Sequence, residues 1–159
     1  MGRVIKPDFA IIVTAANRCI ADRLLDAVAT VSGDSMRPSF GFVLRAVAAE
    51  EPTVSRLAEL LGVTKQATSR LVEDMVTLGL LQRAELPGDR RQKRLHLSPT
   101  GERIRERALA ESREMEDELR QRFGDAQVDI LRTLLIDFVE RHGGGDELAA
   151  RRSRASDPS

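Results

Sequence analysis

The 159-residue chain carries 25 basic and 25 acidic residues and has a formal net charge of zero, which excludes attraction of polyanions over its whole surface. Hydrophobic residues make up 42% and charged residues 31%, a balance that fits one soluble domain, or one domain with an arm for association. Five Phe with no Trp and no Tyr leave the core to aliphatic side chains, which favours packed helices over a sandwich or barrel.

Residues 1–7 read as frayed. From Asp8, a plausible N-cap, to about Val31, apolar residues recur at Phe9, Ile12, Ala16, Ile20, Leu24 and Val28, one face of a helix closed by Ser32-Gly33-Asp34. A second helix, about Pro38 to Glu50, ends at Glu51-Pro52, because the residue before proline is pushed out of the α region. Thr53 caps a third, about Val54 to Leu61, with Leu57, Leu60 and Leu61 inward and Gly62 taking the positive φ that follows.

Thr64 caps the fourth helix, about Lys65 to Leu78, whose expected buried stripe is Ala67, Leu71, Met75 and Leu78. Its exposed face then carries Lys65, Gln66, Ser69 and Arg70. Gly79 breaks this helix. Leu80 to Leu86 and Gln92 to Leu97 read as two strands around Pro87-Gly88, a pair that suits a type II turn. Ser98 as N-cap and Pro99 at the first helical position start a fifth helix, running to about Phe123 with Ile104, Ala108, Met115, Leu119 and Phe123 inward. Gly124-Asp125 separates it from a last helix, about Ala126 to His142, striped by Val128, Leu131, Leu135 and Phe138. Gly143-Gly144-Gly145 ends the pattern, and the polar tail to Ser159 is expected to be flexible.

Two short helices joined at Leu61-Gly62-Val63 and followed by a basic hairpin make a helix-turn-helix with a wing. From Arg83 to Arg94 there are five basic residues (Arg83, Arg90, Arg91, Lys93, Arg94) against two acidic ones (Glu85, Asp89), a local excess of three. Such an arrangement points to sequence-selective binding of double-stranded DNA, since the major groove, about 12 Å wide, admits one helix with its first residues facing base edges. Gln66 can pair bidentately with adenine, and Lys65 or Arg70 with guanine or phosphate. Thr64 and Thr68 are suited to phosphate or methyl contacts, and Ser69 belongs to the same exposed set. The alternative is an ordinary solvated polar face.

The striped helices at the two ends hold more apolar surface than one winged lobe can cover, so a homodimer is expected; an intramolecular helical hairpin is the alternative. The single cysteine, Cys19, excludes an internal disulfide and fits a reducing compartment. No signal peptide is legible, and the apolar run from Phe9 to Ala16 is far shorter than the about 20 residues that span a bilayer, so a cytoplasmic location is expected. Cys19 lies near Arg18 and Arg23, which would lower a thiol pKa, although a lone cysteine on an amphipathic helix is more often a packing residue. His96 and His142 stand apart, without paired ligand spacing, so no metal site and no cofactor are expected. Nor is there a phosphate loop, a nucleophile elbow or an acid/base dyad to suggest an enzyme.

Between residues 57 and 101 the resemblance becomes specific. LAELLGVTKQATSRLVEDMVTLGLL resembles the helix-turn-helix of the MarR family of transcriptional regulators, and PGDRRQKRLHLSPTG resembles that family's wing and the start of its fifth helix. The similarity extends from about Asp8 to His142. It implies a mainly α fold with a small β-wing: a lobe over 36–97, dimerisation helices over 8–35 and 98–144 that intertwine about a two-fold axis, and a tail over 145–159. It further implies that Arg90 or Arg91 enters the minor groove, with Lys93 nearby and Asp89 pairing with an arginine to fix the hairpin tip. A small-molecule effector between arm and lobe would alter the affinity of a repressor for a pseudo-palindromic operator. Some relatives sense oxidants through a cysteine in the first helix, a role open to Cys19. Leu86 stands where the family often has an acidic residue before the wing proline, and no Tyr or Trp is present for an aromatic ligand pocket. Other readings are an interaction or architectural module without operator choice, and a hydrolase or transferase on a helical scaffold.

Overall fold

The structure, a computed structural model, describes residues 8–86 and 89–142. The expectations for residues 1–7, the Pro87-Gly88 turn and the tail beyond 142 fall outside that range. Four helices begin at caps that the local chemistry dictates. Asp8 accepts from the Ile11 amide at 2.9 Å and opens α1 (Phe9–Ser32). Thr53 and Thr64 do the same for α3 (Val54–Leu61) and α4 (Lys65–Thr77), accepting from Arg56 and Ala67 at 3.3 and 3.2 Å. Ser98 opens α5 (Pro99–Phe123), accepting from the Gly101 amide at 3.0 Å. A short 3-10 turn, Gly33–Ser35, links α1 to α2 (Pro38–Glu50), and α6 (Asp125–Arg141) follows α5 directly.

The residue before Pro52 leaves the α region, but toward the left-handed basin: Glu51 has φ 47° and ψ 56°. Its amide still closes onto the Val47 carbonyl at 3.0 Å, and its carboxylate lies 3.2 Å from His96 Nδ1 on the wing. These contacts hold a conformation that a non-glycine side chain rarely adopts.

β1 (Leu81–Leu86) and β2 (Asp89–Leu97) form an antiparallel ribbon in which Leu81 faces Leu97 and Arg83 faces Leu95, with an irregularity between Glu85 and Leu86. β2 starts three residues earlier than the pattern predicts, because its charged first residues carry no alternation of apolar and polar positions. The ribbon is tied at its base to the corner between α2 and α3. Thr53 bridges Arg94, and the Leu95 amide donates to the Pro52 carbonyl at 2.9 Å.

Phe40, Val43 and Val47 of α2 form the centre of the core with Leu57 of α3, Val72 and Met75 of α4, Leu81, Leu95 and Ile104, all essentially without solvent exposure. α4 is turned by about one residue from the expected stripe. Thr68, Val72 and Met75 face the core, whereas Ala67 is exposed and Leu78 is 43% exposed. Burial of Thr68 is possible because its hydroxyl donates to the Thr64 carbonyl at 3.0 Å, leaving a methyl group to pack.

Long helices at both ends leave apolar faces open. Val28 and Val128 are buried, but Phe9, Ile12 and Ile20 of α1 are exposed, as are Leu119 and Phe123 of α5 and Ile130, Leu131, Leu134, Leu135 and Phe138 of α6. The inward placement expected for Phe9, Ile12, Ile20, Leu119, Phe123, Leu131, Leu135 and Phe138 is therefore not met within one chain. Phe9 and Phe138 touch edge to face, 6.0 Å between centroids. α1 is clamped to α5 by Arg23, which donates to the nearly buried Glu111 and to Glu118, while Arg107 donates to the other Glu111 oxygen at 2.7 Å.

Candidate nucleic-acid interface

Because Thr68, Val72 and Met75 point inward, the opposite side of α4 presents Gln66, Arg70 and Glu73 to solvent, with Lys65 beside them. Lys65, Gln66 and Arg70 are exposed, as the sequence predicts, and Ser69 is half-buried at the margin. Thr64 is exposed, but its hydroxyl oxygen is engaged in capping the helix. Thr68 does not belong to this surface: it is wholly buried with its hydroxyl bonded internally, so the expectation of a DNA contact there is corrected. The first turn also offers the unpaired amides of a helix N-terminus, which favour an anion.

Two features of this surface escape sequence reasoning. Glu73 is exposed in the second half of α4 and repels phosphate, which confines favourable anion contact to the first two turns. On the wing, Arg83 and Arg94 are exposed together with Lys93. They were legible in the local basic excess but not as separate contact residues. The side chains of residues 86–92 lie outside the described residues, and with them the roles expected of Asp89, Arg90 and Arg91.

Among the described residues Lys65, Arg70, Arg83, Lys93 and Arg94 take part in no ion pair, so their charge is left for a partner. Arg56 on α3 contrasts with them. It donates to Glu50 and Glu59 at 3.2 and 3.1 Å, and the hydrogen bond to Glu50, then that to Glu59, raises its pKa.

Cys19 is exposed on α1, but the two cations expected to activate it are engaged elsewhere. Arg18 lies 3.7 Å from Asp22, and Arg23 is taken by Glu111 and Glu118. His96 faces Glu51, and the His142 ring lies 4.5 Å from that of Phe138. Among the described residues no group of His, Cys, Asp and Glu is arranged to hold a metal ion, and no helix is long and apolar enough to cross a membrane.

Between α1, α2 and α5 lies a cavity of about 410 Å³. Leu24, Val28, Met36, Phe42 and Ile104 make its apolar side, and Arg37, Arg45 and Arg105 its charged side.

Residues 42–92, from α2 into the first part of β2, match the model of the MarR family. The matched segment, which spans the helix-turn-helix and part of the wing, is similar to the MarR family. Solved structures of similar fold span nearly its whole described length. RV1404 from Mycobacterium tuberculosis aligns with a TM-score of 0.68 at 23% identity, over 89% of this chain and 99% of the other. MepR from S. aureus, solved in complex with DNA, gives 0.64 at 18% identity over 84% and 97%. A transcriptional regulator from Thermotoga maritima gives 0.54 at 25% identity over 82% and 95%. No curated protein matches the chain by sequence. Six helices with a two-stranded wing give this chain the fold of those structures.

Proposed function

We propose that the chain is a MarR-type regulator, a homodimeric repressor that reads a pseudo-palindromic operator and releases it on binding a small ligand. The observation that carries the reading is the α4 surface: Lys65, Gln66 and Arg70 are exposed and, among the described residues, in no ion pair, and the wing adds exposed Arg83, Lys93 and Arg94. Gln66 and Arg70 read base edges, Lys65, Thr64 and Ser69 hold phosphates, and Lys93, Arg94 and one of Arg90 and Arg91 follow the backbone into the minor groove. Pairing is supported by the exposed apolar faces of α1 and α6, which are too extensive for a solitary soluble chain. A dimer presents two α4 helices to half-sites about 34–36 Å apart.

Ligand response is supported by the cavity between arm and lobe. Its described lining holds three arginines and no carboxylate against an aliphatic wall, which suits a small amphipathic anion. Such coupling is typically about 1–3 kcal/mol, or roughly 5–150-fold in DNA affinity.

Fluorescence anisotropy of a labelled duplex from upstream of the protein's own gene, set against a scrambled duplex over a salt series, tests this reading. The native duplex should bind more tightly. Arg70→Ala and Arg91→Ala should each weaken binding and lower the salt slope by about one. Gln66→Ala should relax base preference by about 1–3 kcal/mol. Equal affinity for both duplexes would leave only an architectural role. Variants that bind and titrate like the wild type would remove their residues from the interface.

A further inference from the structure

We propose that Arg37 is the residue through which occupancy of the arm–lobe cavity reaches the DNA-reading helix; this rests on the ligand-responsive reading above. Arg37 immediately precedes α2 in extended conformation, φ −123° and ψ 150°, and its side chain lines the cavity. The same guanidinium lies 3.5 Å from the Asp74 carboxylate on α4, through Nη1. Its central carbon lies 5.6 Å from the centroid of Phe40, a ring with no solvent exposure. One cation therefore touches the cavity, the core and the recognition helix at once.

Asp74 is one helical turn from Arg70, on the same helix as Lys65 and Gln66. It is flanked by the buried Met75, and its own carbonyl accepts the Leu78 amide at 2.9 Å where α4 ends. A force on the Asp74 carboxylate thus acts at the base of the helix whose other end carries the reading residues. The other two cavity arginines are placed differently. Arg105 lies on α5 and is held by Glu102 on its own helix, and Arg45 lies within α2.

An anion entering the cavity competes with Asp74 for Arg37. When the guanidinium turns to the ligand, Asp74 loses its cross-element partner and the clip between the start of α2 and α4 opens. Both members of the pair are more than half exposed, so the link is weak, about 1 kcal/mol at most. That corresponds to a shift of about fivefold in DNA affinity. A weak contact is suited to this role, because a ligand of modest affinity can displace it.

The test uses benzoate as the probe anion and benzamide as its uncharged counterpart, with DNA affinity read by anisotropy and probe binding by ligand-observed NMR. On the wild type, benzoate should bind and lower DNA affinity by up to about fivefold, whereas benzamide should not. Asp74→Asn should still bind benzoate, start from the lowered DNA affinity, and respond no further. Arg37→Gln should match Asp74→Asn in DNA affinity and bind benzoate more weakly, and the double variant should be no lower than either single one. Both sites are exposed, and far-UV circular dichroism confirms that each variant is folded. A full benzoate response retained by Asp74→Asn overturns the role of Arg37 while leaving the effector site standing. Absence of benzoate binding to the wild type overturns the effector reading and this one together.

Discussion

Alanine at Gly101 and alanine at Gly41 should move stability in opposite directions, although both glycines lie inside helices. Replacing a helical glycine by alanine normally gains up to about 1 kcal/mol, because the unfolded chain loses freedom and the helix gains a better former. Gly41 in α2 has nothing within 4 Å of an added Cβ, so the full gain should appear there. At Gly101, in the first turn of α5, the Cβ would overlap the Leu80 carbonyl oxygen, with the carbonyl carbon at 3.2 Å and Leu44 Cδ2 at 3.4 Å. That carbonyl accepts the Ser98 amide at 3.0 Å, so it cannot retreat without stretching the bond that seats α5 on the end of β1. Overpacking of this kind costs about 1–3 kcal/mol, which exceeds the helical gain. The helical gain is common to both, so the two variants should differ by the overpacking cost, about 1–3 kcal/mol. The chain has no Trp and no Tyr, so the assay is urea unfolding followed by far-UV circular dichroism, at one protein concentration throughout. A Gly101→Ala protein as stable as the wild type, or more so, would refute the close approach of α5 to Leu80.

Three more outcomes follow from the same contacts. Hydrogen bonds from Arg23 hold the Glu111 and Glu118 carboxyls below the ordinary value of 4.5, so their contribution is present above that pH and is lost as pH falls through the lowered value. Glu111→Gln should consequently flatten the fall of the urea midpoint between neutral pH and pH about 3; an unchanged pH profile would detach Glu111 from that clamp. Ser98→Ala removes both the α5 cap and the donor to the Gly79 carbonyl, and should cost about 1–2 kcal/mol in the same unfolding assay. Leu134→Glu, on the open face of α6, should halve the mass seen in sedimentation equilibrium while leaving monomer helicity largely intact; an undiminished mass would move the interface elsewhere.

Helix starts were legible in the sequence because capping is local chemistry: Asp8, Thr53, Thr64 and Ser98 each reach an amide three residues on. The apolar face of α1 was legible for the same reason, although its periodicity does not say whether the cover comes from the same chain or another. The rotation of α4 was not legible. Thr68 counts as polar by residue type, and only the i−4 bond to Thr64 turns it into a packing residue. Nor does anything local announce the pair of Arg23 and Glu111, 88 residues apart, or that of Arg37 and Asp74. Lys65, Gln66 and Arg70 are exposed as expected despite the rotation, because they lie far enough from both possible stripes to stay outside in either case.

The stitch between Thr53 and Arg94 sets the mechanics of the wing. Along β2 it is the outermost tie to the lobe among the described residues, and the strand continues from Arg94 back to Asp89. At about 3.3 Å per residue that length is a lever of roughly 17 Å. A two-stranded ribbon is marginal in water by itself, so it will bend to a groove more readily than the helix beside it. Under the proposed function, contacts made along the ribbon would cost the rest of the protein little movement, and a duplex of variable groove width would be followed without disturbing the fit of α4.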